Sequence, residues 1–450
     1  MKTKIFAILF SSVSTVIILL SACATISPEV AKFKQIKVSA EAGDAGSQFL
    51  LGEYYRTGMN VDANSTACVF WLNKAADQGH LAAQKKLADI YLGSATGIGK
   101  SQEKAVGRLK QAADQGDLDS QMNLATLLLE GKEIKRDVIN GVQWLKKAGE
   151  QGNHIAWQKL ANIYEKGDEP PKNLKAAAIW HRKLADKGNT ESQKKLALWF
   201  ESGLGVDKNI QEAKKWYIKI ASRGDGDASL WMGTYYLEGK SGKKDIFQAA
   251  TWFDKSAKTG NEQGRFNLVE LEKELPANQL FDLGLKFKQN TQLATRWIQK
   301  AAETGLADAQ FEYGIILEKK RQYKEAAGWY HKAADQNHFK AQINLGTMYE
   351  NGQGVKKDYQ EAEKWYLKST STGKGGFGGG FYNVALFYEY GRGRPADAKK
   401  AAELYRKAAE RRHIWAAYNL GVLYQNGKGV KKNIGEAVKW YEIAGGHGHP

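Results

Sequence analysis

The apolar residues of this chain recur at helical spacing, in a block that repeats along the sequence. In one block, an i, i+4, i+5, i+8 series predicts one face of an amphipathic helix: Ala341, Leu345, Gly346 and Tyr349. A glycine-containing stretch at 351–354 then predicts a turn. Asp358 is the predicted N-cap of a second helix, whose buried stripe is Ala362, Trp365, Tyr366 and Ser369. Each block therefore predicts two helices.

A tryptophan marks one register of the predicted second helix, at Trp71, Trp144, Trp180, Trp216, Trp252, Trp297, Trp329, Trp365 and Trp440. Three successive spacings between Trp144 and Trp252 are 36 residues each, and Leu109 and Tyr405 hold the register in two further blocks. These spacings predict about eleven blocks over roughly residues 45–445. Because each block is too small to fold alone, the blocks must stack to bury a shared core. We therefore expect an all-α solenoid with these tryptophans in its core.

Glycine accounts for 47 of the 450 residues, and two registers explain much of this number. One glycine follows each second helix, where a left-handed residue is needed: Gly79, Gly116, Gly152, Gly188, Gly224, Gly260, Gly305 and Gly373, with Asn337 in one block. Another lies inside the first helix and predicts close helix–helix approach: Gly52, Gly233, Gly314, Gly346 and Gly421.

The full block reads Ala-x-x-x-Leu-Gly-x-x-Tyr-x-x-Gly-x-Gly-Val, then Ala-x-x-Trp-x-x-Lys-Ala-Ala-x-x-Gly, and residues 417–445 show it well. This pattern resembles the Sel-one-like repeat, a relative of the tetratricopeptide repeat. The resemblance covers most of the chain. It implies a right-handed superhelix of antiparallel helix pairs that serves as a protein-binding scaffold.

The N-terminus has the pattern of an export signal. Lys2 and Lys4 precede an uncharged, mostly apolar stretch at 5–22. Its end, Leu-Ser-Ala followed by Cys23, resembles the bacterial lipobox, which implies cleavage before Cys23 and acylation of that residue. Ala24 stands where the retention aspartate would be, so the same resemblance implies a lipid-anchored protein of the outer membrane. We expect it to face the periplasm. An uncleaved signal anchor is the alternative.

These features predict the domain organisation of the chain. We expect a signal peptide at 1–22, a linker at 23–40, six repeats at 41–260, a degenerate repeat at 261–306, four repeats at 307–446 and a tail at 447–450. The degenerate unit contains Pro276, and its irregular spacing predicts a bend or hinge. The glycine-rich stretch at 374–380 lacks the spacing of a phosphate-binding loop and predicts a flexible insertion.

The sequence offers little catalytic chemistry. With Cys23 acylated, Cys68 has no partner in the chain, and its apolar neighbours predict a buried thiol. The eight histidines show no zinc-ligand spacing; His447 and His449 lie in the glycine-rich tail. No serine or cysteine stands in a nucleophile motif. We expect no enzymatic activity, no cofactor and no metal site.

The 66 Lys and Arg residues outnumber the 49 Asp and Glu residues, for a net charge of +17. This surplus favours an anionic partner. Export argues against nucleic acid and favours an acidic polysaccharide, another envelope polyanion, anionic lipids or acidic proteins. A basic residue precedes the predicted second-helix N-cap at Arg136, Lys172, Lys208, Lys244, Lys357 and Lys432. Stacking would align these into a basic edge beside helix N-termini; the alternative is a row of solvated turns.

Four tryptophans lie off the second-helix register, on predicted first helices: Trp157, Trp199, Trp231 and Trp415. First helices line the concave face in this architecture, so these four are candidate partner contacts. The leading functional hypothesis is a lipid-anchored envelope scaffold that binds envelope proteins. In combining a lipobox with these repeats, the chain resembles the lipoprotein scaffolds of alginate secretion. This resemblance implies a role in polysaccharide export beside a secretion porin. The alternatives are a surface-exposed host-interaction or virulence factor, or a protein associated with peptidoglycan or lipopolysaccharide.

Overall fold

The computed structural model describes residues 28–93, 99–132, 134–167, 169–240, 242–287, 290–371 and 378–446. Cys23, Gly373, residues 374–377, His447 and His449 lie outside the described residues. Within the described ranges the chain is all-α, with 24 helices and no strand. None of these helices is both long enough and apolar enough to cross a lipid bilayer.

The chain divides into two compact units, 1–220 and 221–450. The first eleven helices are α1 (Pro28–Glu41), α2 (Ala45–Thr57), α3 (Ser65–Asp77), α4 (Leu81–Leu92), α5 (Gln102–Asp114), α6 (Leu118–Glu130), α7 (Val138–Glu150), α8 (His154–Lys166), α9 (Leu174–Asp186), α10 (Thr190–Ser202) and α11 (Ile210–Ala221). The next thirteen are α12 (Gly226–Leu237), α13 (Ile246–Lys258), α14 (Glu262–Glu274), α15 (Ala277–Lys286), α16 (Thr291–Glu303), α17 (Ala307–Lys319), α18 (Tyr323–Asp335), α19 (Phe339–Asn351), α20 (Tyr359–Thr370), α21 (Gly378–Tyr390), α22 (Ala398–Glu410), α23 (Ile414–Asn426) and α24 (Ile434–Gly446).

Twenty-two of these helices form eleven pairs, each made of a first helix and a second helix. The pairs run from α2 with α3 to α12 with α13, and from α15 with α16 to α23 with α24. Second helices pack against their own first helix, as in α2–α3 and α23–α24, and against the first helix that follows in the same compact unit, as in α3–α4 and α22–α23. The predicted all-α repeat solenoid is thereby confirmed. Two helices, α1 and α14, stand outside the pairs.

Helix α1 corrects the predicted linker. Residues 28–41 are helical, and Phe33, Ile36 and Ala40 pack against the first helix of the first pair, where Leu51 is fully buried. The side-chain amide of Gln48 also donates a hydrogen bond to the carbonyl oxygen of Ala40, at 3.1 Å. The linker prediction is wrong for 28–40 because these apolar residues cover a face of α2 that would otherwise meet water.

The predicted ends of the second helices are observed. Each predicted cap accepts a hydrogen bond from a backbone N–H in the first turn, at Asp137, Asn173, Asn209, Asp245, Asp358 and Asn433. The seven described glycines after second helices have φ between 87° and 100°, and Asn337 has φ of 64°. Gly378 to Gly380, predicted as part of a flexible insertion, are instead buried in the first turn of α21.

Close approach within a pair requires a small residue at one position of the first helix. A Cβ built on Gly346 would lie 2.7 Å from Cδ1 of Tyr366 on the partner helix. Each of the eleven paired first helices has a buried Gly or Ala at this position: Gly52, Ala88, Ala125, Ala161, Ala197, Gly233, Gly284, Gly314, Gly346, Ala385 and Gly421. The predicted role of the first-helix glycines is therefore confirmed.

The segment predicted to be a degenerate repeat and hinge contains three helices, α14, α15 and α16. They share one core with α13, in which Phe253, Phe287 and Trp297 are fully buried. The division between compact units falls after Ile220 and not inside 261–306. The widened tryptophan spacing arises because α14 is an extra helix between two pairs.

Candidate interaction surfaces

The six predicted basic positions occupy one place in the repeat, and all six side chains are exposed. Each lies next to the glycine that follows the first helix of its pair; for example, a Cβ on Gly352 would lie 3.2 Å from Cβ of Lys357. Arg136, Lys172 and Lys208 belong to the first compact unit, and Lys244, Lys357 and Lys432 to the second. The position and exposure of these residues suit contact with an anionic partner.

Local interactions reduce the positive potential at one of these positions. Arg136 donates from Nε to the carbonyl oxygen of Leu129 at 3.1 Å, and its guanidinium lies 3.8 Å from the carboxylate of Glu169. Hydrogen bonds from Asn140 lower the pKa of the neighbouring cap, Asp137, so this carboxylate stays ionised. The basic position at Arg136 is therefore partly neutralised by its own turn.

Two of the four candidate contact tryptophans are core residues, which corrects the prediction. Trp157 is 6% exposed and donates from Nε1 to the carbonyl oxygen of Gly149 at 2.7 Å. Trp199 is also 6% exposed, and its ring meets that of His181 edge-on at 5.4 Å. First helices also have a face in the core, so a tryptophan on a first helix can be buried.

The other two candidates are more accessible. Trp231 is half-buried and stacks on Tyr235, with 5.3 Å between ring centroids. Trp415 is 54% exposed and lies beside Tyr418. Trp415 is therefore the one predicted contact whose ring is available to a partner over most of its surface.

Six of the nine second-helix tryptophans are buried, and Trp71, Trp252 and Trp329 are half-buried. A lysine three residues later covers the ring in seven pairs, with Nζ 3.9 to 5.5 Å from a ring centroid of the tryptophan: Lys74, Lys147, Lys183, Lys219, Lys255, Lys332 and Lys368. The spacing Trp-x-x-Lys recurs along the sequence, but this role of the lysines was not predicted from it. Seven lysines of the charge surplus therefore stabilise the fold through cation–π contacts.

A buried polar network joins three helices of the first unit. His181 is fully buried; its Nδ1 lies 2.9 Å from Ser192 Oγ and its Nε2 lies 2.7 Å from Glu165 Oε1. Lys195 donates to the same carboxylate at 2.6 Å. Burial raises the pKa of Glu165 but the hydrogen bonds from Lys195 and His181 outweigh it, so the pKa is lowered. An ionised Glu165 accepts from the Nε2–H of a neutral His181, and Nδ1 accepts from Ser192.

This network joins a serine, a histidine and a carboxylate, which the sequence did not reveal. Ser192 is 1% exposed, so its hydroxyl is closed to a substrate in this conformation. Cys68 is also 1% exposed, and burial raises the pKa of its thiol to about 11. The described residues contain no cluster of three His, Cys, Asp or Glu side chains that could hold a metal ion. Ser192 and Cys68 therefore lie in the packed interior.

A second set of buried polar residues connects successive helices. Buried glutamines donate from Nε2 to the carbonyl oxygen eight residues earlier, on the preceding helix, at Gln48, Gln84, Gln121, Gln193, Gln310 and Gln342. The indole of Trp157 makes the equivalent bond in its pair. The regular spacing of these residues in the sequence was the signal that could have identified them.

Comparison with known proteins supports the same architecture. The family model described as Sel1 repeat matches residues 45–80, 81–117, 118–153, 158–189, 190–225, 226–261, 279–306, 307–338, 339–372, 382–413 and 416–449. The exopolysaccharide production negative regulator of Rhizobium leguminosarum bv. viciae is 30% identical over 151 residues, which is 31% of this chain and 57% of that protein. Human protein sel-1 homolog 2 is 36% identical over 95 residues, which is 21% of this chain and 14% of that protein. The chain thus spans less than two thirds of the length of both relatives.

Solved structures include two similar repeat proteins. A protective antigen of uropathogenic Escherichia coli, described as displaying an SLR fold, is 30% identical; the match covers 92% of this chain and 86% of that one, with a TM-score of 0.33. A Sel1 repeat protein from Oxalobacter formigenes is 23% identical over 76% of this chain and 86% of that one, with a TM-score of 0.31. The eleven family matches fall on the eleven helix pairs and cover most of the sequence, so the chain belongs to the Sel1 repeat family.

Proposed function

We propose that this chain is a lipid-anchored envelope scaffold that binds partner proteins through the surface of its helix pairs. Sel1 repeats mediate protein–protein interaction, and stacked repeats offer an extended binding surface. One contrast carries the proposal: the chemically reactive side chains Ser192 and Cys68 are buried, whereas Trp415 and the six basic turn positions are exposed. Such a surface suits binding better than catalysis.

The anchor in this proposal is an acyl group on Cys23, supported by the export pattern and the lipobox resemblance. The test is incorporation of labelled palmitate, together with the distribution of the chain between membrane and soluble fractions. Replacing Cys23 with alanine should abolish labelling and release the chain from the membrane fraction. The matched variant Cys68→Ala should keep its label and stay in the membrane fraction. Equal labelling of the two variants would contradict an anchor at Cys23.

The specific form of this proposal is a role in polysaccharide secretion, with a secretion porin among the partners. It is supported by two Rhizobium proteins whose names refer to exopolysaccharide production, each of which matches 31% of this chain. Deleting the gene should change the amount of exopolysaccharide in the medium, and the intact gene should restore it. Unchanged secretion would remove this form of the proposal and leave the scaffold itself standing.

The scaffold is tested by photo-crosslinking in living cells. A crosslinking amino acid in place of Trp415 should capture a protein partner, because this ring is exposed. The same amino acid at Trp144, which is 9% exposed, is the control and should capture none. Protease treatment of intact cells then separates a periplasmic chain, which is protected, from the alternative of a surface-exposed one.

A further inference from the structure

Helix α14 is a first helix without a second helix. It begins after the cap Asn261, packs against α13 and buries Leu268 and Leu271. The next helix, α15, is another first helix and pairs with α16. One face of α14 therefore lacks the helix that covers the same face in the eleven pairs.

One side chain on this face differs from its equivalent in every paired first helix. Val269 stands where the eleven paired helices have a buried Gly or Ala, and it is 38% exposed. Phe266, one turn earlier, is 55% exposed. A branched side chain fits at Val269 because no second helix presses on it here. The result is an exposed apolar face on α14.

This face forms one wall of a groove. The groove has a volume of about 760 Å³ and lies between α14 on one side and residues of α13 and α16 on the other. Phe266, Leu268, Val269 and Leu293 supply its apolar surface. Its volume falls within the range of ligand-binding clefts, roughly 300–1,000 Å³.

The groove has an excess of positive charge. Its lining holds four cations, Lys258, Arg265, Lys273 and Arg296, against two carboxylates, Asp254 and Glu270. Asp254 pairs with Lys258 and Glu270 with Lys273, both at 2.7 Å. Behind the lining, the buried carboxylate of Glu272 is shared by Arg296 and Lys300. These five cations and three carboxylates have a net charge of +2. Arg265, which is exposed, is the cation next to Phe266 in the sequence.

We propose that this groove, defined by Arg265, Phe266, Val269 and Leu293, binds one acidic amphipathic helix of a partner protein. The inference rests on the proposed scaffold function and names the chemistry of one partner. A helix is the expected occupant because the repeat places a helix on this face in all eleven pairs. Acidic residues outside the apolar stripe of this helix complement the two positive charges in excess around the groove.

The geometry also sets the length of this helix and one of its residues. Helix α14 has 13 residues, so the occupant that matches it is about 20 Å long. In the pairs, a large ring such as that of Tyr366 packs on a small residue, Gly346. On α14 the larger residue, Val269, is on the first helix. The partner helix therefore needs a small residue, Ala or Gly, opposite Val269.

The test uses a synthetic helix. Its sequence is that of α16 and keeps the buried stripe Leu293, Ala294, Trp297 and Ala301. Ile298 is replaced by alanine, and glutamate is placed at the outward positions. Fluorescence anisotropy should show saturable binding to the full chain. Phe266→Glu with Val269→Glu should raise Kd by about tenfold or more. Ile155→Glu with Leu198→Glu, at sites 63% and 55% exposed in the first unit, is the matched control and should leave Kd unchanged.

A second variant tests the charge and guards against misfolding. Arg265→Glu should weaken binding at low salt and have less effect at high salt, because salt screens exposed charges. A peptide with the same stripe and lysine in place of glutamate should bind more weakly than the acidic one. Equal binding of both peptides, or unchanged Kd in both groove variants, would overturn the proposal.

Two further outcomes are distinguished by the same variants. If the wild-type chain self-associates in analytical ultracentrifugation and Phe266→Glu with Val269→Glu makes it monomeric, the occupant is a second copy and the proposal is wrong. If envelope proteins co-purify equally with wild type and with that variant, the groove proposal fails and the scaffold stands. If none co-purifies with wild type, the scaffold itself fails.

Discussion

The ring of Tyr366 rests directly on the backbone of Gly346, in the space where any other residue would have its Cβ. A Cβ there would lie 2.7 Å from both Cδ1 and Cε1 of the ring. The hydroxyl of Tyr366 in turn donates to the carboxylate of Glu350 at 2.8 Å. This contact shows how the repeat couples a small residue on one helix to a large residue on the next.

Gly346→Ala should therefore destabilise the chain, by about 1–3 kcal/mol, because the added methyl overpacks a closed interface. The midpoint of urea unfolding, followed by circular dichroism, measures the change. Gly328→Ala is the matched control: Gly328 lies inside α18, and a Cβ built there would have no atom of another helix within 4 Å. The control should gain up to about 1 kcal/mol from helix propensity alone. A gain in both variants would show that the contact at Gly346 does not limit packing.

Gln121→Leu should cost about 1–3 kcal/mol, because it leaves a buried carbonyl without its donor. In the wild type, Nε2 donates to Ala113 O at 3.2 Å and Oε1 accepts from Gln151 at 2.9 Å. Urea unfolding again gives the measurement. Gln263→Leu, at an exposed site on α14, should change stability by less than about 0.5 kcal/mol. Equal effects of the two changes would contradict a structural role for the buried glutamines.

His181 should make the first unit less stable in acid. Burial lowers its pKa in the folded state from the ordinary 6.5, although the bond to Glu165 acts in the opposite direction. The unfolded chain then binds more protons than the folded chain below about pH 6.5, so stability falls as pH decreases through this range. His181→Gln should reduce the loss in urea midpoint between pH 7.5 and 5.5. The exposed His331 provides the control, His331→Gln, which should keep the wild-type loss.

The thiol of Cys68 should be unreactive in the folded chain. It is 1% exposed, and burial raises its pKa to about 11, so little thiolate forms near neutral pH. In a Cys23→Ala chain, Ellman's reagent should react slowly with the native protein and stoichiometrically in urea. Rapid reaction without denaturant would show that the helices around Cys68 open readily.

Reversing four basic turn positions should weaken binding to an acidic polymer such as alginate. The variant carries Glu at positions 136, 172, 208 and 244, and its deficit should shrink as salt rises. A control with the same charge change carries Glu at four exposed helical lysines: Lys110, Lys319, Lys340 and Lys399. Equal losses in the two variants would assign the effect to net charge and remove the basic edge as a site.

The repeat could be predicted from the sequence because its determinants are local and periodic. The glycine after each second helix, such as Gly79 with φ of 87°, and the buried Trp297 both follow from their register. Trp157 and Trp199 were misassigned because the first helices also have a core face. Trp157 stands at the glutamine register and replaces the amide donor with an indole N–H.

Other features depend on contacts that no spacing reveals. His181, Glu165 and Ser192 come together only because their three helices pack side by side. The groove beside Val269 exists because a helix is missing, and a missing element leaves no motif. Val269 can be assigned to the position that holds a buried Gly or Ala in the paired first helices only after the helices are aligned.

Co-purification of partners with the intact chain is the direct test of a scaffold function. The full-length protein is recovered from detergent-solubilised envelopes, and the captured proteins are quantified by mass spectrometry against a strain that lacks the bait. A scaffold should recover a reproducible set of envelope proteins, and the recovered amounts should fall when the exposed Trp415 is replaced by alanine. Recovery of no envelope protein above the control would contradict a scaffold function.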